Sequence, residues 1–343
     1  MHPHIEYNAL ALANQGSWAK TDAAWERHRD WRAAWDAVKC EAKIDAEKEW
    51  ERLMRHDVRL ILRDDPDFPP HLKEIHASPF GLYVKGSFAF LPPAVAVVGT
   101  RRATREGVRI AHGFAEQLSR GGVAVISGLA LGIDGAAHRG ALAGKGRPTV
   151  AVLPCGLDRT YPAEHTTLAK EIAAAGGSVV SEYPLGSPPL PFRFLERNRI
   201  VSGLSLGTLV VEAPARSGAL VTARLAMEQN RDVFVVPGPL TNPNYAGSHE
   251  LIRQGACLVV SPGHIREALG LPDENRNAEN GDAETDLSAD ERAVLSALRG
   301  AGTPLPLDSI AELGHLEAHA ASAAASLLAV RGIITDMDGR YSL

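Results

Sequence analysis

Cysteine is scarce in this 343-residue chain: Cys40, Cys155 and Cys257 stand far apart, with no CxxC pair among them. A sparse, odd set excludes a disulfide-stapled scaffold, offers no thiolate zinc site, and suits a reducing compartment. Also missing is any run of about 18 uncharged apolar residues, so no membrane-spanning helix is expected. The opening residues, MHPHIEYNALALANQGSWAK, lack a basic start followed by an apolar stretch. No secretory leader is read there, and a cytoplasmic location is expected. A net excess of positive charge is absent as well, the formal charge being −5.

That average hides a split. Residues 94–262 hold 17 Lys and Arg against 12 Asp and Glu, while the rest of the chain holds 19 against 29. A basic middle between acidic flanks permits a polyanion site on one domain without requiring it.

What is plentiful comes in blocks. Residues 1–56 read as a helical segment with a tryptophan series, Trp18, Trp25, Trp31, Trp35 and Trp50. Spacings of seven and four put members of a pair on one helix face, which suits a helical packing module or, alternatively, base stacking. Residues 58–92 are proline-rich and extended, with LYVKG a strand. The middle then alternates apolar strands (AVAVVG, VAVISG, TVAVLP, SVVSE, GTLVVEA, DVFVVPG, ACLVV) with helical segments. Runs of Val, Ile and Leu without polar alternation indicate strands covered on both faces, hence a doubly wound α/β domain over residues 57–270. Residues 271–287 are polar and acidic, as in a flexible linker. Residues 288–343 read as three helices and a hairpin, the order of a winged helix. Its third helix, EAHAASAAASLLAV, has almost no basic residues, so partner contact or a structural cap is weighed against DNA reading, and the tail is not expected to be the primary DNA site.

Loops leaving the carboxyl ends of parallel strands share one edge, where ligands bind. After Gly99 come Thr100, Arg101 and Arg102, where a dinucleotide fingerprint would place a second glycine. Close backbone approach to a pyrophosphate is therefore not expected, and the arginines either grip phosphate or pair with nearby carboxylates. The Ser127–Gly128 loop runs glycine-rich to Asp134, which reads as an acid or base, or as a helix N-cap or first-turn carboxylate. GALAGKG has the wrong spacing and context for a P-loop. The segment PFRFLERNRIVSGLS interleaves Arg193, Arg197 and Arg199 with Phe192 and Phe194 beside Asn198. Cations that follow a backbone and rings that stack on bases are the means of single-strand binding, although such rings can equally plug a core. Glu212 either bonds a sugar or steadies its loop. No nucleophile–base pair or metal cluster emerges, which lowers the case for an enzyme.

Taken together, AVVGTRRAT, ISGLALGIDGAAHRGAL, TVAVLPCGLDRTYPAEH, SEYPLG, FRFLERNRIVSGLS, VVEAPARSGALVTARLA and VFVVPGPLTNPNYAGSHELIRQGACLV resemble the DprA (Smf) family, in colinear order from about residue 58 to 265. The resemblance implies an extended Rossmann-like fold, single-stranded DNA binding in a basic pocket, homodimerisation, and delivery of the strand to the RecA recombinase in transformation or repair. It matches the family's pocket arginine to Arg101, its glycine-rich loop to Ser127–Asp134, its base-contacting aromatic to Phe194 beside Arg197 and Asn198, and its dimer surface to SHELIRQGACL with Ile252 and Leu258. It implies neither cofactor nor metal. The alternative is a nucleotide phosphoribohydrolase of the same superfamily, but LSLGTLVVEA lacks the paired glycines of the PGGxGTxxE loop in those enzymes.

Overall fold

A computed structural model describes residues 2–88, 93–272, 287–301, 303–330, 333–337 and 339–342. The chain forms two compact units, residues 1–273 and 274–343. All but the two ends of the acidic stretch 271–287 lies outside the described residues.

The N-terminal 55 residues are four helices, α1 (Pro3–Ala13), α2 (Trp18–His28), α3 (Trp31–Ala42) and α4 (Ala46–Arg55). Polar caps explain the breaks: Ser17, Asp30 and Asp45 each accept a backbone N–H three residues on, satisfying donors that a helix start leaves open. Trp31 and Trp35 are buried, and Trp18, Trp25 and Trp50 pack against the same core. Trp31 stands edge-on to Phe80, with ring centroids 5.3 Å apart. The tryptophan series is therefore packing that ties the helices to the sheet, and its buried rings are not open to bases.

The sheet has nine strands: β1 (Arg59–Leu62), β2 (Gly81–Gly86), β3 (Ala94–Val98), β4 (Ala124–Ser127), β5 (Val150–Leu153), β6 (Ser178–Ser181), β7 (Gly207–Val210), β8 (Asp232–Val235) and β9 (Cys257–Leu258). Their spatial order is β1-β2-β6-β5-β4-β3-β7-β8-β9. β3 to β9 run parallel, and β2 joins β6 antiparallel to carry β1 at the edge. Every residue of β3 is buried, as its uninterrupted apolar run requires. One face is covered by α9 (Pro191–Gly203), α10 (Gly218–Glu228) and α11 (Ala246–Arg253). The other is covered by α6 (Arg105–Arg120), α7 (Ile133–Gly144) and α12 (Pro262–Ala268), then by α8 (Thr166–Ala174) and the N-terminal helices. The short helices α5 (Pro70–Lys73) and α12 have no counterpart in the sequence reading. This is the doubly wound, mostly parallel α/β architecture expected.

The second unit contains α13 (Ala289–Ala301), β10 (Leu305–Pro306), α14 (Leu307–Leu313), α15 (Ala318–Val330), β11 (Thr335–Met337) and β12 (Arg340–Ser342). The strands form an antiparallel sheet in the order β10-β12-β11 around a core that includes Val294, Leu298, Ile310 and Leu328. β10, two residues of which one is Pro306, is too short to be legible in the sequence.

His138, on α7, is fully buried. Its Nδ1 meets the Thr149 hydroxyl at 2.9 Å, and that hydroxyl donates to the Val125 carbonyl. Thr149 has only one proton to give, so Nδ1 carries the imidazole proton and Nε2 is a lone pair without a hydrogen-bond partner. Burial, reinforced by His165, Arg197 and Arg139, pushes the His138 pKa down to about 3. An unfolded chain takes up this proton near pH 6.5 and the folded one does not, so His138 lowers stability as pH falls from 6.5 towards 3. His138→Gln, which cannot titrate, is expected to flatten the acid limb of a urea-unfolding series by up to about 1.4 kcal/mol per pH unit. An identical slope in both proteins would contradict this.

Candidate nucleic-acid interface

The parallel strand order reverses between β3 and β7, and crevices form outside the carboxyl ends of strands at such a switch point. A cavity of about 690 Å³ lies there, between the loops after β3, β4 and β7 and the first turns of α9. Gly99, Thr100, Arg101, Arg102, Gly128, Phe194, Arg197 and Asn198 all line it.

Glu212 holds the first loop. Its buried carboxylate accepts from the Thr104 N–H at 3.0 Å, from the Thr104 hydroxyl, and from Asn244 Nδ2 at 3.3 Å. Asn244 Nδ2 also donates to the Arg102 carbonyl at 3.1 Å. Thr104 in turn caps α6, its hydroxyl accepting from Gly107 N. Thr100 turns inward, its Oγ1 accepting from Arg102 N. With the backbone pinned on that side, Arg101 and Arg102 project outward. The Arg101 guanidinium lies over the Phe194 ring, 4.8 Å from its centroid. Phe194 stands edge-on to Tyr161 at 5.3 Å.

The floor is a buried cation. Arg197 donates to the Gly128 and Val152 carbonyls, the first at 2.8 Å, and its Nε reaches Asn198 Oδ1 at 3.4 Å. A Cβ on residue 128 would lie 2.6 Å from an Arg197 guanidinium nitrogen, so only glycine allows this approach. Burial, partly offset by Asp134, lowers the Arg197 pKa to about 10, leaving the group charged at neutral pH. Asp134 accepts from Gly128 N at 3.1 Å and Ala130 N at 3.4 Å. Burial raises the Asp134 pKa despite Arg197 and these bonds. Asp134 is thus the first-turn carboxylate of α7, whose N-cap is Gly132, and it engages the Gly128 and Ala130 N–H groups ahead of the helix.

Three expected binding residues are placed elsewhere. Ser127 is fully buried and donates to the Val97 carbonyl at 2.7 Å. Arg199 is buried and grips both carboxylate oxygens of Glu182, at 2.6 and 2.7 Å. Arg193 is buried against Tyr183 and bonds two backbone carbonyls away from the cavity. These are corrections. Ser127 ends a strand buried along its length, and a guanidinium turned inward must find acceptors inside the protein. On a helix 193 and 197 share a face and 199 does not, yet of the three only Arg197 lines the cavity.

Two cavity residues had not been singled out. Arg216, in the loop after β7, is exposed, and Tyr161 is 39% exposed at the rim. Both belong to loops at the sheet's carboxyl edge, so their position in sequence carried the signal. Arg101, Arg102 and Arg216 make no ion pair among the described residues. The helix-surface arginines Arg29, Arg109, Arg120 and Arg253, by contrast, each pair with a glutamate on the same turn.

An α/β fold with an open, cation-rimmed crevice at its switch point defines a Rossmann-like ligand-binding protein. Residues 59–270 match the family described as DNA recombination-mediator protein A, and the chain belongs to that family. It is 44% identical over 259 residues to protein Smf of Escherichia coli, covering 74% of this chain and 68% of that one. The structure is similar to that of DNA processing protein A from Streptococcus pneumoniae, with TM-score 0.60, 38% identity, and coverage of 66% and 80% of the two chains. It is also similar to the Helicobacter pylori protein described for its unique single-stranded DNA binding mode, with TM-score 0.56, 30% identity, and coverage of 62% and 95%.

Proposed function

We propose that this chain binds single-stranded DNA in the cavity and delivers the strand to RecA. The observation that carries the reading is the set of guanidinium groups without an ion pair among the described residues, Arg101, Arg102 and Arg216, around an aromatic pair, Phe194 and Tyr161. Cations follow the phosphates while rings take the faces of whatever bases pass, which gives affinity without sequence preference. The relatives, named for DNA processing and in one case described for single-stranded DNA binding, support the same polymer. Of the residues expected to touch DNA, Gly99, Thr100, Arg101, Arg102, Gly128, Phe194 and Asn198 keep that role, joined by Arg216 and Tyr161, while Arg197 lines the cavity as its internally bonded floor. Delivery to RecA rests on family membership, and its check is whether the protein speeds RecA assembly on an oligonucleotide. The tail is read as a winged helix that serves a partner.

A nucleotide hydrolase is the competing reading. Glu212, the carboxylate such chemistry would recruit, is occupied by Thr104 and Asn244. Release of free base from nucleoside monophosphates would reverse the preference.

The fold's free edge is proposed as the homodimer contact. Among the described residues β9 pairs only with β8, and Leu258 and Val260 are 46% and 63% exposed. Ile252 packs partly against its own core, so the apolar patch centres on Leu258 and Val260. Leu258→Glu with Val260→Glu is expected to give a folded monomer by light scattering. A dimer that persists would place the contact elsewhere.

For DNA, oligothymidylate is expected to bind more tightly than duplex of equal length at matched salt. Arg101→Ala should cost at least about 1.5 kcal/mol and reduce the slope of log affinity against log salt by about 0.7, with little change in melting temperature. Phe194→Ala should weaken binding with the slope retained. Equal affinity for duplex and single strand would sink the reading.

A further inference from the structure

Arg193 precedes Phe194 on α9 but faces away from the cavity. Its guanidinium is buried, lies 4.6 Å from the Tyr183 ring centroid, and donates to the Pro188 carbonyl at 2.9 Å. Its other terminal nitrogen donates at 2.6 Å to the carbonyl of Gln15, in the turn between α1 and α2. Tyr183 completes the clamp by donating to Glu196, also on α9, at 2.8 Å.

Both sides of this contact are built for it. Leu190, the residue before α9, offers no side-chain cap, so the first turn of the helix has no polar anchor of its own beyond this tether. On the other side, Gln15 and Gly16 both have positive φ, at 55° and 71°. A Cβ on residue 16 would lie 2.9 Å from Tyr183 Cδ1 and 3.2 Å from Pro184 Cδ. Trp18 fixes the far side of the turn, its indole N–H donating to the Ser78 carbonyl at 2.9 Å. The turn is thus a rigid post, and Arg193 ties α9 to it.

We propose that the α1–α2 turn is a positioning element for the cavity face of α9, with Arg193 as the positioning residue. This deepens the single-strand reading and rests on it. A helix is stiff, and a tether in its first turn sets its rotation. A slip of that turn moves Phe194 off Arg101 and Arg197 off the Gly128 carbonyl together. The N-terminal helices therefore act on DNA affinity without touching DNA.

The test uses the full chain with Arg193→Ala, Gly16→Ala and the double variant, titrated with fluorescent oligothymidylate over a salt series. Each single variant should raise Kd by about tenfold, within the range of one lost stacking contact. The salt slope should match wild type, and the double variant should be no weaker than the weaker single. Amide exchange at residues 194–197 should be faster in both singles. If Arg193→Ala fails to fold, Arg193→Lys takes its place, keeping the charge while losing the planar fork that joins two carbonyls. A slope reduced by about 0.7 in the Arg193 variant would make it a phosphate contact and overturn the proposal. So would a folded Gly16→Ala variant with wild-type affinity and wild-type exchange. Should the wild-type chain not bind oligothymidylate, the functional reading fails, and exchange at 194–197 in Gly16→Ala still decides the coupling.

Discussion

A guanidinium group buried at the carboxyl edge of a parallel sheet has to be surrounded by acceptors, and Arg197 sets the terms for everything near it. Its donors occupy the carbonyls of Gly128 and Val152, at the ends of two strands. Its charge faces Asp134, which in turn takes the Gly128 and Ala130 N–H groups. Breaking such a set by removing one member leaves an uncompensated buried charge, a loss of about 3–5 kcal/mol. The glycine at 128, the carboxylate at the start of α7 and the approach of α9 are thus one arrangement, and it forms the floor on which the cavity stands.

The same logic sorts the other arginines. Arg199 is neutralised by Glu182 and the donors of Arg193 are satisfied by backbone carbonyls, so α9 uses all three of its cations internally. Arg101, Arg102 and Arg216 lie instead on loops, and Glu212 and Asn244 brace the backbone of the first of these from behind and leave the Arg101 and Arg102 side chains to solvent. An anion approaching the cavity meets Arg101, Arg102 and Arg216 with no carboxylate to displace among the described residues. That division between cations that build and cations that wait gives the crevice its character in a chain whose net charge is negative.

Much of this was legible. Unbroken runs such as AVAVVG announce strands buried on both faces, and parallel strands force their loops to one edge, so the crevice and the exposed pair Arg101 and Arg102 follow from pattern alone. The direction of each arginine on α9 did not. Residue spacing gives a helix face but not what lies against it, and Glu182, Gln15 and Pro188 come from distant parts of the chain. The tryptophan helices were read as a segment of their own. Their rings pack into the sheet's core instead, because Phe80, the ring they surround, lies beyond α4 in sequence. Arg216 sat in a loop already assigned to the edge, and one basic residue before a capping Ser is too common a pattern to stand out.

The most direct test of the account is a crystal structure of the full chain with a short oligothymidylate. Phosphates should lie against Arg101, Arg102 and Arg216, with a base against Phe194 or Tyr161, while Arg193 still holds Gln15 and Arg199 still holds Glu182. A strand bound away from the switch-point cavity, or phosphates held by Arg193 or Arg199, would contradict it.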